Sequence, residues 1–161
     1  MRMTRPAPWL RSIGLPLLAL LGNSCGSAEP DRVLTVEQVV PRIDELNGRT
    51  VSVAGYLADC SGYDCLLFRN KDDADEWARF IVAARSSDHR NLRVPDRPVL
   101  GIGSGRNFDF DAVAAPFTHR NVVIIGTITN MCRFHGQPAC TDRTTDLWPA
   151  SIRAGSPPAA R

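Results

Sequence analysis

Four cysteines, Cys60, Cys65, Cys132 and Cys140, fall in two close pairs, and no other feature limits the possible folds of this chain as strongly. If each pair is bridged, two short loops are closed and the chain entering and leaving each loop must meet in space. Four cysteines allow three connectivities. The local pairing, Cys60 with Cys65 and Cys132 with Cys140, is the obvious one, and a cross-bridge between the two loops is the alternative. Four and seven residues intervene within the pairs. Those spacings are not the tight pairs of a zinc ribbon, nor the two-residue spacing usual in a redox-active pair. A metal site of four thiolates helped by His135 is the competing reading. Disulfides are expected over it because the chain begins with an export pattern, and oxidising compartments preserve such bonds.

That pattern is graded. Arg2, Arg5 and Arg11 form a positive region, residues 13–21 are apolar but too short to span a bilayer, and small residues follow at Gly22, Ser24, Gly26 and Ser27. This reads as a secretory signal and not as a transmembrane anchor. Two cleavage readings compete. Leu21-Gly22-Asn23-Ser24-Cys25 resembles a bacterial lipobox, which would remove residues 1–24 and lipidate Cys25; Asn23 departs from that motif. Gly26-Ser27-Ala28 resembles an ordinary signal-peptidase site, which would remove residues 1–28 and leave Glu29 first. The lipobox reading is favoured slightly, and it implies membrane attachment through the lipid. The remainder is one domain, residues 29–153, followed by a disordered tail, residues 154–161.

Composition supports a packed domain, with 43% hydrophobic and 22% charged residues. Setting aside the three arginines of the signal leaves 16 basic residues against 17 acidic ones. Nucleic acid is therefore not an expected partner, because no net positive charge drives it.

Along the domain, Thr35-Val36-Glu37-Gln38 has the form of a capping box that opens a helical segment. Val36, Val39, Val40, Ile43 and Leu46 recur at near-helical spacing, and Pro41 predicts a kink or two short turns. Residues 50–57 alternate as a strand, with Val51, Val53, Gly55 and Leu57 on the buried face and Gly55 marking a bulge or tight bend. Residues 65–68 return as a second strand and residues 79–84 make a third. Between them, residues 69–78 are polar, a long loop or a short helix. Residues 85–107 are mostly irregular. Residues 108–117 suggest a short helix, and residues 122–130 and 147–153 the last two strands.

Helix, three strands, short helix, two strands is the order of the oligonucleotide/oligosaccharide-binding barrel. The chain resembles exported bacterial proteins with such barrels in Gly48-Arg49-Thr50-Val51-Ser52-Val53-Ala54-Gly55-Tyr56, in Cys65-Leu66-Leu67-Phe68 and in residues 122–127, over roughly residues 48–153. The resemblance implies a mostly β fold: a five-stranded barrel with an N-terminal helical segment and one short helix between strands 3 and 4. It also implies that the two cysteine loops flank the usual binding face. It implies fold more than function.

Candidate ligand-binding residues are Tyr56, Tyr63 and His135. Tyr56 is out of phase with Val51, Val53 and Leu57 and is expected to point outward, Tyr63 lies in a loop, and His135 sits inside the second cysteine loop. Phe68, Phe80, Phe134 and Trp148 could also stack on bases or sugars if they face solvent, but alternation does not choose a face for Phe68, Phe80 or Trp148. Among the other histidines, His89 is expected in solvent and His119 at the end of the short helix. Asp72, Asp73, Asp75 and Glu76 read as a solvated face, since they lack the glycine and terminal glutamate of a calcium loop. Gly101-Ile102-Gly103-Ser104-Gly105 reads as a flexible loop and not as a phosphate cradle. No catalytic set, metal site or cofactor motif is recognisable. The expectation is a nonenzymatic envelope protein that binds a ligand or a protein partner. The alternatives are a small envelope hydrolase or redox enzyme with its site near His135, and a structural lipoprotein.

Overall fold

In a computed structural model, residues 32–86, 92–105, 109–134, 137–138, 140 and 143–156 are described. The export segment with Cys25, the residues His89 and His135, and the tail from residue 157 lie outside the described residues.

The chain enters with a strand, β1 (Val33–Thr35), then two helical turns, α1 (Val36–Val39) and α2 (Ile43–Leu46), separated by a 3-10 turn at Val40–Arg42 that starts around Pro41. The capping box forms as its sequence requires, the Thr35 N–H donating to Gln38 Oε1 at 3.0 Å. Proline cannot donate within a helix, and here it divides one amphipathic segment into two. Val36, Val39, Ile43 and Leu46 are all buried.

The sheet is built from β2 (Thr50–Ser61), β3 (Asp64–Phe68), β4 (Val99–Gly101), β5 (Arg120–Ile128) and β8 (Leu147–Ala154), in the spatial order β4-β3-β2-β5-β8. These pairs are antiparallel, and β1 joins β2 in parallel as a sixth strand. Two short strands, β6 (Arg133–Phe134) and β7 (Gln137–Pro138), form a separate hairpin between β5 and β8. The fold is thus mostly β, as expected, but with six strands in the main sheet where five were expected. Residues 33–35, for which no strand was expected, supply the extra one. The segment expected as a tail begins within the sheet: Ala154 belongs to β8, and the Gly155 N–H donates to Asn121 O at 2.9 Å.

The largest correction concerns residues 69–84. From residue 71 on they belong to one helix, α3 (Lys71–Arg85), where a long loop or short helix followed by a third strand was expected. The run Phe80-Ile81-Val82 has strand chemistry, but its context is helical. Asn70 caps the helix by accepting from the Asp73 N–H at 3.0 Å, and Asp72 and Asp73 sit in the first turn, where the helix dipole favours negative charge. Pairs at i,i+4, Arg69–Asp73 at 2.9 Å and Lys71–Asp75 at 2.6 Å, support it. The third strand is β4 instead, and the short helix before β5 is α4 (Phe110–Ala114) with a 3-10 turn, Ala115–Phe117.

The main core lies on one face of the sheet. Val53, Leu57, Leu67, Leu100, Ile124 and Leu147, from five strands, share a cluster with Val36, Ile43 and Phe110 from the helices. A smaller cluster on the other face joins Tyr56, Phe68 and Ala74 beneath α3. The bulge expected at Gly55 falls slightly later, between Leu57 and Cys60.

Candidate functional site

The β2–β3 hairpin turns at Gly62 and Tyr63. Gly62 adopts φ +58°, a left-handed conformation that glycine reaches without steric cost. A disulfide joins Cys60 to Cys65, directly opposite one another across the two strands, and a second joins Cys132 to Cys140. Both bonds have the local pairing. Tyr63 is left at the hairpin tip, 77% exposed.

Arg143, just before β8, ties this tip to the rest of the molecule. Its Nε donates to Ile102 O at 2.7 Å, and its Nη1 donates to Asp111 Oδ1 at 2.6 Å and to Gly62 O at 3.2 Å. Its Nη2 reaches Gly103 O at 3.4 Å and lies 3.4 Å from Cys60 Sγ. Asp111 in turn accepts from the Gly62 N–H at 3.1 Å. One guanidinium, only 9% exposed, therefore gathers the hairpin, the segment after β4, the start of α4 and the segment before β8. A planar fork of five donors suits this task as a lysine ammonium would not. Its donors are engaged within the protein, which makes the cluster a brace and not an anion receptor.

A second arginine lies where the segment after β4 runs beside the start of β8. Arg133 grips Asp146 with two bonds, Nε to Oδ1 at 2.8 Å and Nη2 to Oδ2 at 2.7 Å. Asp146 is fully buried and also accepts from the Gly101 N–H at 2.9 Å. The hydrogen bonds to Asp146 hold the Arg133 guanidinium above its ordinary pKa, against the opposing pull of burial. Around this pair the two ends of the sheet meet. Ile102 and Leu147 form a parallel bridge, the Gly103 N–H donates to Leu147 O at 2.9 Å, and the Asp146 N–H donates to Gly101 O at 2.9 Å. Residues 101–103, expected within a flexible loop, are instead a buried seam.

The outer face of the sheet is divided. Over β3 and the adjoining end of β2 it is covered by α3, with Trp77 against Phe68 at a ring separation of 6.4 Å. Over β5, β8 and the start of β2 no described helix covers it, and its side chains range from half-buried to exposed. Thr50, Thr127 and Trp148 stand directly opposite one another across the three strands, and Ser52, Ile125 and Ser151 form the next row. Trp148 is 40% exposed. Its ring rests against Gly103, where an added Cβ would lie 3.0 Å from Cε3.

These placements separate the sequence candidates. Tyr63 is exposed as expected. Tyr56 is not: it lies on the outer face as its phase requires, but α3 covers that part of the face and leaves it 7% exposed. His135 and the side chain of Phe134 lie outside the described residues. Phe68 is buried, Phe80 half-buried against Trp77, and Trp148 faces outward. Asp73, expected in solvent, is buried and accepts from Arg69 Nη2 at 2.9 Å. His119 follows the 3-10 turn at φ +57°, with Nε2 3.0 Å from Asp59 Oδ1. Arg143, Asp111, Arg133 and Asp146 were missed. Arg143 finds its partners 32 to 83 residues away, so no local motif announces it.

Among the described residues, no group of three or more His, Cys, Asp or Glu side chains is placed to hold a metal ion, and no helix is long and apolar enough to cross a membrane. No protein-family model matches the chain, and neither a curated protein nor a solved structure is detectably similar to it.

Proposed function

We propose that this domain is an exported, nonenzymatic binding module of the bacterial envelope, an oligonucleotide/oligosaccharide-binding-like barrel that presents the Tyr63 hairpin tip to a ligand or protein partner. The observation that carries this reading is the Arg143 brace. It holds the disulfide-closed hairpin against α4 and the segment before β8, so a large exposed aromatic side chain stands on a loop already ordered before contact. Pre-ordering lowers the entropic cost of binding. The barrel reading draws support from the strand order and from the parallel bridge that joins β4's end to β8's start. Two disulfides agree with an oxidising location. The lipobox-like run before Cys25 extends this to a lipid-anchored form, which the intact mass of the mature protein tests: an unmodified terminus at Glu29 contradicts it.

Binding itself is tested by capture from native envelope extract, comparing the wild-type domain with Tyr63→Ser and identifying retained components by mass spectrometry. The reading predicts a component held by the wild type and lost from the variant. Identical recovery by both, or none by either, contradicts it.

A further inference from the structure

Helix α3 has two long sides. Ala74 and Trp77 pack on Tyr56 and Phe68, and Ile81 and Ala84, both half-buried, continue the same stripe at helical spacing. The opposite side carries Lys71, Asp72, Asp75, Ala78, Arg79, Val82 and Arg85. All of these but the half-buried Asp75 are exposed, and Val82 is 72% exposed. A β-branched residue adds little to a helix at a solvent position. A single exposed valine is ordinary by itself. What distinguishes this side is the way its charges are arranged around that valine.

The charges are sorted by sign. Asp72 and Asp75 lie in the first half, with Lys71 paired to Asp75 at 2.6 Å. Arg79 and Arg85 lie in the second half, where there is no acidic residue from 77 to 85. Among the described residues, Asp72, Arg79 and Arg85 have no ion-pair partner. Such a side is complementary to itself. A second copy laid antiparallel across it sets Asp72 and Asp75 of each helix against Arg79 and Arg85 of the other, with Ala78 and Val82 of both between them. A twofold axis repeats every one of those contacts. Ala78 is small enough to let the helices approach, and Val82 fills the space beside it. A parallel pair would set acid on acid and arginine on arginine, and would align the two helix dipoles; the antiparallel pair relieves both. An anionic lipid surface is a poorer occupant, because its headgroups would face Asp72 and Asp75.

We propose that the outer side of α3 is a self-association surface, through which two copies of this chain pair as an antiparallel, twofold dimer. The helix has 15 residues and is about 22 Å long, so the contact is smaller than a standard interface and the dimer is weak and reversible. Sedimentation equilibrium of the soluble chain begun at Glu29, with both disulfides intact, tests this from about 10 μM to 1 mM. The average mass should rise from monomer toward dimer and no further, since a twofold contact closes on itself. Added salt should weaken the dimer, because its ion pairs lie at the surface. Val82→Glu should weaken it by about tenfold or more, while circular dichroism shows the fold unchanged. Two charge variants supply a second readout. Asp72→Arg with Asp75→Arg makes the side wholly basic, and Arg79→Glu with Arg85→Glu makes it acidic apart from Lys71. Each alone should stay monomeric, and their equimolar mixture should form a heterodimer. A monomer throughout the wild-type series overturns the proposal, as does a dimer indifferent to Val82→Glu or a mixture that fails to associate. Tyr63→Ser should leave self-association unchanged, and loss of capture at Tyr63 leaves this surface standing.

Discussion

Tyr56 and Thr50 lie on the same strand and the same face of the sheet, yet one is 7% exposed and the other open to solvent. What separates the two ends of that face is α3, laid over β3 by its aromatic residues and anchored at its N-terminus by Asn70 and by Arg69, which bridges Asp73 and Glu37 at 2.9 and 2.8 Å. Under the helix the face carries Tyr56 and Phe68. Beyond it the face carries mostly threonine and serine, with the half-buried Ile125 and one tryptophan seated on a glycine. The composition of each end matches its coverage: an apolar residue is stabilised where water is excluded, and a hydroxyl is indifferent to burial only when paired. A strand's period of two reports which face a residue occupies, and says nothing about whether another element covers that face.

The sharpest way to break the comparison is to empty the covered half. Phe68→Ala removes a ring that is 1% exposed between Tyr56 and Trp77, and should cost about 3–5 kcal/mol in denaturant unfolding. Asp146→Ala attacks the seam that both halves share. It leaves the half-buried Arg133 guanidinium and the Gly101 N–H without their carboxylate, with an expected loss of about 3–5 kcal/mol measured the same way. Gly103→Ala is gentler. The new methyl would meet Thr145 Cγ2 at 2.8 Å and the Trp148 ring at 3.0 Å, so we expect a loss of about 1–3 kcal/mol and a red-shifted Trp148 emission as the ring lifts into solvent. Ser52→Ala, in the open half, should change stability by no more than about 0.5 kcal/mol. A Ser52→Ala cost approaching that of Phe68→Ala would show that the two halves are not different in kind.

The sequence made the local features legible. The capping box at Thr35, the division of the first helical segment at Pro41, the long strand from Thr50, the local cysteine pairing and the exposure of Tyr63 all depend on neighbours within a few residues. The misreadings have a common origin. Phe80-Ile81-Val82 looks like a strand until Asn70 is seen to cap a helix ten residues earlier. Tyr56 looks exposed until that helix is placed over it. Gly101 to Gly105 looks loose until Leu147, far along the chain, is found bonded to its centre. Arg143 and Asp146 carry no signature at all, because their partners come from other elements.

The most direct test of the divided face is hydroxyl-radical footprinting of the oxidised, folded domain, read residue by residue. The account predicts fast modification of Trp148 and Tyr63 and strong protection of Tyr56 and Phe68, with Trp77 between the two groups. Modification of Tyr56 and Phe68 at the rate of Trp148 would contradict it, because α3 would then not be covering its half of the sheet.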